Sequence, residues 1–144
     1  MEKLNTLQIG KKKYPYKCDL YVLEELQNEY QNLFEYELKL KGMRPKFDSN
    51  GNRIFREDGT FDYERIHFDI HAMNAILPLM VNEGIEINAA ALGKEAETLA
   101  PEDIIRNIEI PIYDLWSMVV IEYDRCMFGK KNSQTDRKSK ARTR

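Results

Sequence analysis

The stretch Pro111-Ile-Tyr-Asp-Leu-Trp-Ser-Met-Val-Val-Ile-Glu-Tyr-Asp-Arg-Cys-Met-Phe-Gly129 decides the class of the fold. Ile112, Leu115, Trp116, Val119, Val120, Tyr123 and Cys126 recur in it at spacings of mostly three and four, the period of a helix with one apolar face. Pro111 resets the chain before it and Gly129 supplies a stop. Its most apolar run, residues 115–121, is far too short to cross a bilayer, so protein must cover that face. This helix is expected at the centre of the core.

Upstream, Pro101-Glu102-Asp103 announces a short helix through about Ile108, because proline suits a first helical turn and the two acids face the positive end of the helix dipole. Between Gly84 and Pro101 the apolar pattern weakens. Before it, residues 62–82 carry Ile66, Ile70, Met73, Leu77, Met80 and Val81 on one face and predict a second helix. Pro78 lies inside that helix and removes a hydrogen bond at a cost of roughly 3 kcal/mol, so a kink or break near Ile76 and Leu77 is expected. A further amphipathic helix is expected over residues 19–42, with Asp19 as cap, Leu23, Leu26, Tyr30, Leu33 and Leu38 on its apolar face and Gly42 as stop.

Two segments read as strands. Leu7 and Ile9, then Tyr14, Tyr16 and Cys18, alternate with polar residues around Gly10-Lys11-Lys12, giving a hairpin over residues 4–18 whose Pro15 strand belongs at an edge. In residues 43–63, Phe47-Asp-Ser-Asn50-Gly51 is echoed eight residues on by Phe55-Arg-Glu-Asp58-Gly59, and Asn-Gly and Asp-Gly favour tight hairpin turns. The fold class is therefore mainly α, with a small N-terminal β-hairpin and a β-hairpin excursion between the first two long helices: an α+β single domain over residues 1–128, followed by a tail over 129–144.

At 144 residues, 42% hydrophobic and 32% charged, the chain has the composition of one globular domain. Residues 129–144 hold seven of the 22 basic residues and one of the 24 acidic ones, a balance of +6 against −8 for residues 1–128. An acidic body thus carries a basic, disordered-type tail. The start has no apolar targeting region, and the two cysteines, Cys18 and Cys126, sit singly in apolar patterns. These features suggest a reducing, cytoplasmic setting without a membrane.

Catalytic and metal-binding patterns are weak. His67 and His71 stand four apart, a spacing two metal ligands can share, but no third ligand accompanies them and the glutamate of a zinc-peptidase helix is absent. Asp48-Ser-Asn50-Gly-Asn52 begins like a calcium loop, yet Arg53 and Gly59 occupy positions that need Gly and Glu. No glycine-rich phosphate loop occurs, and neither cysteine has a base and an orienting acid beside it in sequence. We therefore expect no enzyme, no cofactor and no metal. Lys11-Lys12-Lys13-Tyr14-Pro15-Tyr16-Lys17 interleaves cations with aromatics, but a solvated turn whose tyrosines face the core explains it better.

The phrases Leu7-Gln-Ile-Gly-Lys-Lys-Lys-Tyr-Pro, Ala75-Ile-Leu-Pro-Leu-Met-Val-Asn-Glu-Gly84 and Leu99-Ala-Pro-Glu-Asp-Ile104, with the final apolar helix, resemble in order the tail assembly chaperones of long-tailed, siphovirus-type bacteriophages and prophages. The resemblance spans residues 7–128, and the 43–63 segment looks like an insertion relative to simpler members. It implies a protein of the bacterial host cytoplasm that binds the tape measure protein during tail building. The tail tube protein is a second candidate partner and self-association a third, with no cofactor. It further implies a slippery sequence near the end of the gene, for which Gly129-Lys130-Lys131-Asn132 is the candidate, yielding a longer frameshifted product. Met73, Met80, Met118 and Met127 are candidate partner contacts, since methionine gives an adaptable apolar surface. Two alternatives remain: a nucleic-acid-associated regulator contacting phosphates through Lys130, Lys131, Arg137, Lys138, Lys140, Arg142 and Arg144, and a structural head or tail completion protein.

Overall fold

The computed structural model describes residues 3–129. Strands β1 (Asn5–Ile9) and β2 (Lys12–Tyr16) form an antiparallel hairpin; α1 (Leu20–Tyr30) and α2 (Leu33–Lys41) follow. A second hairpin pairs β3 (Met43–Pro45) with β4 (Tyr63–Arg65), and α3 (Ile70–Ala91), α4 (Pro101–Arg106) and α5 (Ile112–Phe128) complete the order. The fold is mainly helical with two small hairpins around one core, the class the periodicities imply.

The first hairpin turns through Gly10 and Lys11, with Gly10 at φ +64, and pairs Leu7 with Tyr14. Leu7, Ile9 and Tyr16 are buried and Tyr14 packs against them, so both tyrosines face the core. The side chain of Asp19 caps α1 by accepting from the Tyr21 and Val22 amides.

Three details of the helices differ from the sequence reading. The helix expected over 19–42 is two helices: Gln31 takes φ 68, and Asn32 starts again as a cap whose side chain accepts from the Phe34 and Glu35 amides. Leucine spacing carries straight across this joint, so periodicity alone does not reveal it. The helix expected over 62–82 starts at Ile70 after the cap Asp69, because Tyr63–Arg65 is spent on the second hairpin. It then passes through Pro78 and Gly84 unbroken to Ala91. The third difference is the centre of the core. That place belongs to α3, which buries ten residues, whereas α5 buries Leu115, Val119, Glu122 and Tyr123. α3 is touched by β2, α1, α2, α4 and α5, so it needs apolar side chains around most of its circumference.

Polar groups inside the body join the elements. Tyr36 donates from its hydroxyl to the Ala72 carbonyl at 2.6 Å, tying α2 to α3. Trp116 is half-buried, stacks on Phe68 with ring centroids 5.0 Å apart, and donates from Nε1 to the Leu40 carbonyl at 2.8 Å. The Asn82 amide both donates to and accepts from the Leu99 backbone at 2.9 Å, fastening the α3–α4 loop.

Candidate interaction surface

The excursion between α2 and α3 is built on an eight-residue repeat with three members. Pro45 pairs with Tyr63, Phe47 bridges Arg53, and Phe55 bridges Phe61. Three backbone hydrogen bonds close a triangle at its centre: Lys46 N–H to the Asp62 carbonyl (3.2 Å), Ile54 N–H to that of Lys46 (3.1 Å), and Asp62 N–H to that of Ile54 (2.8 Å). The turns repeat at the same interval. Gly51 N–H donates to the Asp48 carbonyl and Gly59 N–H to that of Arg56, with both glycines at positive φ, 85 and 90. A short segment thus satisfies its own backbone without joining a larger sheet.

This arrangement leaves aromatic rings outside. Phe47 and Phe55 are 57% and 60% exposed, and Phe61 and, on α2, Phe34 are also exposed. Phe55 and Phe61 lie 4.8 Å apart, and Phe34 meets the Tyr63 ring edge-on at 6.5 Å. Arg53 stiffens the group. Its guanidinium lies 3.9 Å from the Phe61 ring centre, 5.4 Å from Tyr63 and 5.8 Å from Phe47, and its enclosed Nε and Nη2 have no hydrogen-bond partner among the described residues. The rings provide what the missing acceptors do not, a cation–π contact in a desolvated place. Beside the excursion, Leu38, Met43, Ile66 and His67 help line an open groove of about 530 Å³.

The residues singled out from sequence fall in different places. Met73 and Met80 are 2% and 0% exposed and belong to the core, so these two are corrected from partner contacts to packing. Met118 and Met127 are half-buried on α5 and pack against the core cluster. The tail cations Lys130, Lys131, Arg137, Lys138, Lys140, Arg142 and Arg144 lie outside the described residues. His67 precedes the α3 cap while His71 is inside α3, so the pair does not share a helix face. His67 is committed locally: Nδ1 is 2.7 Å from the Phe68 carbonyl and Nε2 3.2 Å from the Tyr113 hydroxyl. The calcium-like run is an Asp-capped turn in which the Asp48 carboxylate accepts from the Asn50 and Asn52 amides.

Cys18 and Cys126 come together although 108 positions separate them, and burial pushes both thiols upward, away from the reactive thiolate. Among the described residues no group of three or more His, Cys, Asp and Glu is arranged to hold a metal ion, and no helix is long and apolar enough to cross a membrane. Sequence reasoning missed the exposed aromatic group as a surface, because it read Phe47 and Phe55 as hairpin markers only. The signal was present: aromatic residues on a segment too short to bury them. No protein-family model, curated protein or solved structure matches this chain.

Proposed function

We propose that this protein is a non-catalytic binding protein, and specifically a tail assembly chaperone that holds the tape measure protein of a long-tailed bacteriophage, and the tail tube protein as a second client, during assembly. One observation supports the reading most: the excursion holds Phe47, Phe55 and Phe61, beside Phe34, in solvent on a rigid frame. A contiguous exposed apolar patch on a folded domain marks a surface that another protein covers. Rigid aromatic anchors lose little entropy on binding, which suits reversible cover of an aggregation-prone client. The order of short phrases along residues 7–128 supplies the name of the client class.

The test is co-expression of the full chain with the proteins of the neighbouring open reading frames, among which this reading expects the tape measure protein, followed by co-purification. A soluble complex, against an aggregated client when expressed alone, is the expected result. An insoluble client with none retained on this chain contradicts the reading. Codons 129–132 should also contain an adenine-rich slippery run with an open overlapping frame, and a run unable to re-pair after a one-nucleotide slip removes that support.

A further inference from the structure

We propose that the groove between α1, α3 and the first turn of α4 is a docking site for a basic segment of a partner protein, which rests an apolar side chain on Val22, Pro78 and Leu79 and sets lysine or arginine against Glu25, Glu83 and Glu86. The groove has a volume of about 230 Å³, and its described lining holds those three carboxylates and no lysine or arginine. Its floor is apolar because Val22 and Pro78 are buried and Leu79 half-buried, while Tyr21 stands 72% exposed at its edge. Neither α1 nor α3 contains a lysine or arginine, so the anionic character extends along both walls. An apolar floor flanked by three carboxylates complements an amphipathic basic segment: the floor supplies contact area and the acids select the partner's charge.

Glu83 adds a reason for a cation. Burial, Asp19 and Glu86 push its carboxyl up to about 7, while Lys17 pulls the other way. A cation brought into the groove relieves the repulsion that Asp19 and Glu86 exert on Glu83 and favours its ionised form. This site shares no residue with the exposed aromatics of the excursion, so it stands whether or not the client there is a tape measure protein.

The test titrates a labelled synthetic peptide, with leucine and lysine at helical spacing, into the full-length protein and follows fluorescence anisotropy. The triple variant Glu25→Gln/Glu83→Gln/Glu86→Gln should weaken binding by roughly tenfold or more, and the control Glu57→Gln/Glu95→Gln/Glu109→Gln by less than about twofold. Replacing the peptide's leucines by serine should also cost about tenfold. Equal weakening by both triple variants, equal affinity for the serine peptide, or no binding overturns the proposal. A full-length variant with serine at the seven tail cations should bind unchanged. A roughly tenfold gain there would mean that the chain's own tail occupies the groove, which overturns the assignment to a partner.

Discussion

Cys18 has its backbone read by two side chains of α5. Its N–H donates to Glu122 Oε2 at 2.7 Å, its carbonyl accepts from Arg125 Nη2 at 2.6 Å, and Arg125 grips both Glu122 oxygens at 2.8 and 3.0 Å. Glu122 is 3% exposed, so removing Arg125 leaves a buried carboxylate without its cation, whereas removing Glu122 leaves the partly exposed Arg125 and takes the acceptor from the Cys18 amide. Arg125→Ala, which strands the buried Glu122 carboxylate, should cost on the order of 3–5 kcal/mol in urea unfolding, and the double variant with Glu122→Ala markedly less than the sum of the two singles. Additive losses would mean that the pair does not act together. Glu83 makes the opposite case. Its folded-state carboxyl titrates near 7, above the ordinary carboxylate range, so the folded chain binds the proton more tightly than the unfolded one. That contribution is fully present below the unfolded value, near 4.5, and is lost as pH rises through about 7. Glu83→Gln should therefore raise Tm relative to the parent at pH 8 and not at pH 4, and a pH-independent difference would contradict it. Neither role was legible in sequence, where nothing sets Glu122 apart within the 111–129 stretch and Glu83 falls just past the helix expected over 62–82.

Gly84 shows how elements are fitted together. A Cβ there would stand 2.5 Å from the Pro15 backbone and 2.7 Å from the Tyr16 amide, so α3 admits β2 only because this position is bare. The Lys17 amide completes the crossing by donating to the Met80 carbonyl at 3.0 Å. In an open helix Gly→Ala gains about 1 kcal/mol, whereas backbone overlap here should reverse the sign and cost roughly 1–3 kcal/mol in chemical unfolding. A stabilised Gly84→Ala variant would show that the two elements part easily. The sequence reading took Gly84 as the place where the helix weakens, since glycine punctuates helices more often than it fits them together. Gly42 was read correctly as a stop, with φ 77, yet its second duty was hidden: a Cβ would meet the Ile66 carbonyl and the Phe68 amide. The excursion was legible in two of its three repeats. Phe47 and Phe55 declared themselves through Asn50-Gly51 and Asp58-Gly59, but the third aromatic, Tyr63, carries no glycine turn after it and stands where the expected excursion over 43–63 and the expected helix over 62–82 overlap. Arg53→Ala should loosen the ring cluster without unfolding the body, detected as faster amide exchange confined to residues 46–62 with Tm little changed; global destabilisation would place the excursion in the core's cooperative unit.

Across the whole molecule, local signals gave the class of the fold and long-range ones decided its centre. α5 has the cleaner apolar stripe and was read as the core; α3 is more evenly apolar, as a helix enclosed by five other elements must be, and an all-round pattern gives no face to recognise. The candidate surface followed the same logic in reverse. Met73 and Met80, methionines at helical spacing, went inside, while Phe47, Phe55 and Phe61 are exposed on a segment whose own backbone bonding holds its rings out of the core. The account therefore stands on the rings of the excursion binding a protein. The most direct measurement is co-purification of the tape measure protein with the full chain and with its Phe34→Ser/Phe47→Ser/Phe55→Ser variant, alongside the Tm of each. The account predicts a Tm within about 2 °C of the parent, because exposed side chains contribute little to stability, and loss of at least roughly nine-tenths of the bound client. Full retention of the client by a folded variant would contradict it.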